Sequence, residues 1–149
     1  MLKNIDSIQF LVNLKKLIVD DNKELDITTV KHQNSLENFS IQNCELKVLS
    51  TLQYFINLKQ LNLSRNYQIN VNEQMKYLTN LTNLEMNLCG LVSLYALRQL
   101  TNLESLNLRF NDILYVDNEF NDMNKLEFLN SLSFQNRLSS KTRIESWVK

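Results

Sequence analysis

One string, L-x-x-L-x-L-x-x-N/C, occurs five times in this chain, starting at Leu14, Leu36, Leu58, Leu81 and Leu103. The copies follow one another about every 22 residues. A fixed period of this length constrains the fold more than any single residue does, because each copy is one structural unit that buries its apolar side only against the next. The strand segment of each copy reads Leu17-Ile18-Val19, Phe39-Ser40-Ile41, Leu61-Asn62-Leu63, Leu84-Glu85-Met86 and Leu106-Asn107-Leu108. The expected architecture is a stacked α/β solenoid.

Counting from the first leucine of a copy, positions 1, 4, 6 and 11 must point inward and be apolar. Replacing one such leucine by alanine is expected to cost about 2–5 kcal/mol. Position 9 falls in the turn after the strand and holds Asn22, Cys44, Asn66, Cys89 and Asn111. An asparagine there offers both a carbonyl and an NH₂ to buried backbone groups, and a cysteine offers a weak S–H donor. These five residues are read as a structural ladder. Losing one of its asparagines is expected to cost about 1–3 kcal/mol.

The second half of each copy returns the chain along the outer side. Two copies do so with strict three-residue spacing: Leu46, Leu49, Leu52, Phe55, Leu58, and Leu91, Leu94, Leu97, Leu100, Leu103. That spacing suits a short helix or 3-10 turns. Ile27 and Val30 fill the first return, Val71, Met75 and Leu78 the third, and Val116 and Phe120 the fifth. A longer rhythm is also present. After Asn22 and Asn66 an extra residue precedes the next apolar one (Leu25, Ile69), whereas after Cys44 and Cys89 there is none (Leu46, Leu91). The alternation suggests growth by duplication of a two-copy unit.

These motifs resemble the leucine-rich-repeat family in its 22-residue class, with consensus L-x-x-L-x-L-x-x-N-x-L-x-x-L-x-x-L-x-x-L. That class includes protein phosphatase 1 regulatory subunits and bacterial internalins. The resemblance runs over about residues 2–138. It implies a right-handed horseshoe with a parallel sheet on the concave side, short helices or 3-10 turns on the convex side, and binding by the concave side.

The ends extend the pattern. Leu2, Ile5, Ile8, Leu11 and Leu14 match Leu46 to Leu58 step for step, so the chain opens on half a copy. At the other end the phase is expected to slip, with Leu129, Leu132 and Phe134 forming the strand, Arg137 in the ninth position and the apolar Leu138 after it. The expected organisation is one repeat domain over 1–138, comprising the half copy, five full copies and a degenerate terminal one. A cap or tail then follows over 139–149, where Ile144 and Trp147 would cover the last open core.

Composition narrows the function. Lysine plus arginine equals aspartate plus glutamate, 16 each, which argues against a nucleic-acid partner. The basic C-terminal residues Arg137, Lys141, Arg143 and Lys149 read as a solvated tail. No apolar run reaches membrane-spanning length, and the N-terminus lacks the shape of a signal peptide. Cys44 and Cys89 lie two copies apart, about 10 Å at the spacing of neighbouring strands. That separation is too far for a disulfide. Free thiols point to an intracellular protein, cytoplasmic or nuclear. The sequons at Asn38, Asn62 and Asn80 occur at the rate chance predicts.

No enzyme is expected. Gly90 is the only glycine, so no glycine-rich phosphate loop exists, and the single His32 has no partner for nucleophilic chemistry or metal binding. No cofactor, metal or small-molecule substrate is expected either. The outward columns read Ile18, Ser40, Asn62, Glu85, Asn107, Ser133, then Asp20, Gln42, Ser64, Asn87, Arg109, Gln135, then Asp21, Asn43, Arg65, Leu88, Phe110, Asn136. Within this mainly polar face, Arg65, Leu88, Arg109 and Phe110, with Asn87 and Asn107 beside them, have the composition of a binding hot spot. The reading is a monomeric, non-catalytic scaffold that binds a partner protein. Its rivals are a phosphatase regulatory subunit, a surface adhesin and the sensor part of a larger enzyme.

Overall fold

The computed structural model describes residues 1–71, 73–111 and 121–130. Six short strands form one sheet in chain order: β1 (Lys16–Ile18), β2 (Asn38–Ser40), β3 (Gln60–Asn62), β4 (Asn83–Glu85), β5 (Ser105–Asn107) and β6 (Phe128–Asn130). Every neighbouring pair is parallel, and Leu17, Phe39, Leu61, Leu84, Leu106 and Leu129 stand in register. This register is what the period predicts, because equal copy length returns each strand to the same height. Parallel neighbours need a crossover, and here it is a return arm rather than an α-helix. The arms carry 3-10 turns at Asp6–Phe10, Ser50–Tyr54, Glu73–Tyr77 and Tyr95–Leu97. A leucine every third residue matches the three-residue turn of that helix, so one side faces the core throughout.

The core runs unbroken between sheet and arms. Leu49, Leu52 and Phe55 on one return arm with Leu58 and Leu63 after it, and Leu94, Leu97 and Leu100 on another with Leu103 after it, are completely buried. Phe39 takes a leucine position and meets Phe55 edge to face, with ring centroids 5.5 Å apart. Residues near the start of the chain stack on the first full copy. The Leu2 N–H donates to Asn22 Oδ1, as the Leu46 N–H does to Asn66 and the Leu91 N–H to Asn111.

The expected phase slip at the far end does not occur. β6 pairs Leu129 with Leu106 and Asn130 with Asn107, so Leu126 opens the sixth copy. Its Met123 and Leu126 are buried. Backbone pairing with β5 fixes the height of the strand, and Leu126 and Leu129 fill positions 1 and 4 without a shift. Asn130, not Ser133, continues the outward column. Val116 and Phe120, the segment containing Leu132, Ser133, Phe134, Gln135, Asn136, Arg137 and Leu138, and the Ile144–Trp147 cap lie outside the described residues.

Candidate interaction face

The ladder at position 9 explains how the turns close. Asn66 Nδ2 donates to the carbonyls of Leu63 in its own copy and Ile41 in the copy before, at 2.7 and 2.9 Å. Its Oδ1 accepts the N–H groups of Cys44 and Leu46. Asn111 repeats the set on Leu108, Met86, Cys89 and Leu91. The cysteines only donate: Cys44 Sγ to the carbonyls of Val19 and Gln42, and Cys89 Sγ to those of Leu63 and Asn87. A thiol cannot take up two N–H groups of the preceding turn. The turns that precede cysteine copies are the longer ones, and they close on themselves. The Leu25 N–H donates to the Asn22 carbonyl, and the Ile69 N–H to that of Asn66. The extra residue and the cysteine are therefore two halves of one arrangement.

The strands end because of the same ladder. The position-6 carbonyls of Val19, Ile41, Leu63 and Met86 are occupied by side chains from position 9. The N–H at position 7 of the next copy turns to a side chain instead. Gln42 donates to Asp20 Oδ1, Ser64 to Asn62 Oδ1, Asn87 to Ser64 Oγ and Arg109 to Asn87 Oδ1, at 2.9 to 3.2 Å. The second outward column is thus tied to backbone. Ser64 is buried, and the carbonyl of Asn87 is committed to structure.

The next residue, position 8, takes a left-handed backbone in all five full copies: Asp21, Asn43, Arg65, Leu88 and Phe110, with φ between 50 and 62°. Asp and Asn tolerate this conformation, whereas Arg, Leu and Phe hold it at a cost of order 1–3 kcal/mol each. These residues form a rim along the C-terminal ends of the strands. Arg65 and Phe110 are exposed there, and Leu88 is half-buried. The Arg109 guanidinium lies 5.2 Å from the centre of the Phe110 ring. Asn107 Oδ1 and Arg109 Nε are buried without a hydrogen-bond partner among the described residues. Five of the six residues singled out from sequence therefore gather at or just before the rim of copies three to five. Asn107 sits on β5 itself.

The concavity of the sheet lies elsewhere. A depression of about 400 Å³ crosses β1 to β4. Its side chains are Lys16, Ile18, Asn38, Ser40, Gln60, Asn62, Asn83 and Glu85. Half of them belong to a column that sequence reasoning did not single out, at position 3: Lys16, Asn38, Gln60, Asn83, Ser105 and Phe128. The period-two rule was signal enough, since positions 3 and 5 flank the same inward residue. The amides donate across copies, Asn38 to the Gln60 amide and Asn62 to the Glu85 carboxylate. Along the N-terminal edge of the sheet, Glu37 bridges Lys15 and Lys59 at 2.7 and 2.8 Å. These two ammonium groups bring its carboxyl from 4.5 down to about 2.

A second asparagine ladder also went unread. The residue before the first leucine is Asn13, Ser35, Asn57, Asn80 or Asn102. Asn57, Asn80 and Asn102 each donate Nδ2 to a carbonyl of the preceding copy, at 2.7 to 3.0 Å. Ser35 does the same through its hydroxyl. Both thiols are free and buried, as their spacing requires. Burial pushes Cys44 up and Cys89 up to about 11. The same burial disfavours the nucleophilic thiolate form of both. His32 is exposed, stacked loosely at 6.1 Å from Tyr54. No group of three or more His, Cys, Asp or Glu among the described residues is arranged to hold a metal.

The fold is that of a leucine-rich repeat. The chain is similar to the crystal structure of an internalin from Listeria monocytogenes, with TM-score 0.62 and 22% identity over 99% of this chain and 49% of that one. It spans about half the length of that internalin. No family model matches the sequence. No curated protein matches it.

Proposed function

We propose that this chain is a non-catalytic interaction module whose partner is a protein lying along the concave face. The observation that carries this reading is the depression across β1 to β4. It is an open surface of about 400 Å³, floored by the amides of Asn38, Gln60, Asn62 and Asn83 and the Ser40 hydroxyl, with Lys16, Ile18 and Glu85 among them. Such a floor suits the mixed polar surface of a protein segment. The rim at Leu88, Arg109 and Phe110 supplies apolar and cationic contacts beside it, the composition in which binding energy concentrates. Holding Leu88 and Phe110 in left-handed backbone costs stability that an asparagine there would avoid. That choice supports a role for their side chains outside the fold. The buried free thiols support an intracellular location.

The test has two steps. The chain is used to capture partners from native cells, and the captured protein is identified by mass spectrometry. Its affinity is then measured for Ser40→Arg with Asn62→Arg in the floor, and for Arg109→Ala with Phe110→Ala on the rim. A loss of at least about tenfold in either pair is expected, equivalent to about 1.4 kcal/mol. Unchanged affinity in both pairs sinks the reading.

A further inference from the structure

Cations and anions separate across this face. Beside β1 and β2 the acids are occupied. Asp20 accepts from the Ser40 hydroxyl and the Gln42 N–H, Asp21 from the Asn43 amide, and Glu37 is bridged by two lysines. Beside β3 to β6, Arg65 and Arg109 stand at the rim, while Glu85, Glu104 and Glu127 lie exposed in the floor and along the N-terminal edge. None of these forms an ion pair among the described residues. Arg65 holds a left-handed backbone at φ 62° where Asp21 and Asn43 stand in the first two copies. That conformation favours asparagine or aspartate, so the turn itself does not call for arginine. Arg109 Nε has no hydrogen-bond partner, and the guanidinium rests 5.2 Å from the centre of the Phe110 ring.

We propose that the rim of copies three to five docks an acidic amphipathic helix of the partner, a step that rests on the concave-face reading and names the partner's chemistry there. Its carboxylates meet Arg65 and Arg109, and its apolar side chains meet Leu88 and Phe110. Two arginines without ionic partners suit carboxylates, which accept from the guanidinium fork. They stand two copies apart, about 10 Å at the strand spacing. Residues seven apart on a helix are separated by about 10.5 Å, and those three and four along lie between them on the same face. Leu88 lies between the two arginines along the rim, and the exposed Phe110 lies beside Arg109.

An added strand has less to hold. The Arg65 N–H already donates to the Asn87 carbonyl, and the Leu88 N–H to that of Arg109. The rim therefore lacks the row of free donors that strand addition uses. A helix satisfies its own backbone and is recognised through side chains alone. Glu85, Glu104 and Glu127 fix its course. An acidic helix laid along the strands would run onto these carboxylates, so the helix follows the rim across the copies.

Fluorescence anisotropy of the 149-residue chain with designed peptides tests it. The probe carries Glu at two positions seven apart and Leu at the third and fourth positions after the first, on a background of Ala and Gln. A control of the same composition sets the acids and the leucines on opposite faces. The probe is expected to bind at least about tenfold more tightly than the control. Arg65→Glu with Arg109→Glu should reverse the preference, releasing the acidic probe and taking one with Lys in place of Glu. Arg65→Asn should weaken binding at least about threefold while raising Tm, because asparagine tolerates that backbone. Equal binding of probe and control, or an affinity indifferent to the double reversal, overturns the proposal. So does a single-stranded oligonucleotide that binds more tightly than the probe through the same arginines. A cellular partner weakened by Ser40→Arg with Asn62→Arg, but not by Arg65→Glu with Arg109→Glu, overturns it and leaves the concave-face reading standing. A partner indifferent to both pairs overturns both.

Discussion

Cys89 and Asn111 occupy the same position in successive copies and are buried alike. Asn111 serves four backbone groups, taking two N–H donors and giving to two carbonyls, whereas Cys89 only donates through sulfur. The turn that Asn111 serves, after Cys89, is the short one. The turn facing Cys89, after Asn66, is one residue longer and satisfies the Ile69 N–H from within. The contrast teaches that turn length in this solenoid is set by the side chain stacked next to the turn as much as by the turn's own residues.

Six substitutions and one deletion break or sharpen that comparison. The largest effect is expected from Asn66→Ala, which strips partners from the N–H groups of Cys44 and Leu46 and weakens two carbonyls. At about 1–3 kcal/mol for each buried group left unpaired, a loss of about 3 kcal/mol or more is expected. Cys89→Ala should cost only about 1 kcal/mol. Urea unfolding of the two variants measures both, and equal losses would remove the distinction drawn here.

Gly90 probes the short turn directly. Its φ is +66°, and a Cβ there would come within 2.6 Å of the Tyr67 carbonyl oxygen. Gly90→Ala should therefore destabilise by about 2–3 kcal/mol, read from the same unfolding curves. Glu45, at the matching place after Cys44, already holds a left-handed backbone. Alanine in its place should change stability by less than about 0.5 kcal/mol.

Cys89→Asn separates side chain from turn length. The new Oδ1 would face a turn whose Ile69 N–H is already bonded, so about 1 kcal/mol of loss is expected. Removing Gln68 in the same chain shortens that turn and should recover part of the loss. A Cys89→Asn chain as stable as the parent would show that the two features are independent.

The smallest effect concerns the exposed Lys15–Glu37–Lys59 ladder. The Glu37 carboxyl is lowered from 4.5 to about 2 in the folded chain. Its contribution is therefore present above the unfolded value and lost as pH falls from about 4.5 toward 2. The pair is exposed, so the expected signal is small. Glu37→Gln should flatten the pH dependence of Tm in that window, through a small lowering of Tm above pH 4.5 and no change near pH 2.

Much of this was legible beforehand. The inward leucines, the ninth-position ladder, the half copy at Leu2 and the free thiols are all period effects, and periodicity is visible in a linear string. The polar residues before the first leucines, Asn13, Ser35, Asn57, Asn80 and Asn102, are equally periodic, but the carbonyls that Ser35, Asn57, Asn80 and Asn102 serve are brought to them only by stacking. Asn87 reads from sequence as a contact residue, but its side-chain Oδ1 accepts the Arg109 N–H. That role depends on the Met86 carbonyl already being taken by Asn111. Such competition between acceptors exists only once copies are stacked.

The sequence by itself determined the repeat, the direction each strand residue faces and the burial of the core, because equal spacing puts equal residues at equal heights. Only the tertiary structure decided the register of the sixth copy and the place of the depression over β1 to β4. Those depend on which backbone groups are already paired when one copy settles on the next. Pairing of that kind is a property of neighbours in space that no single copy contains.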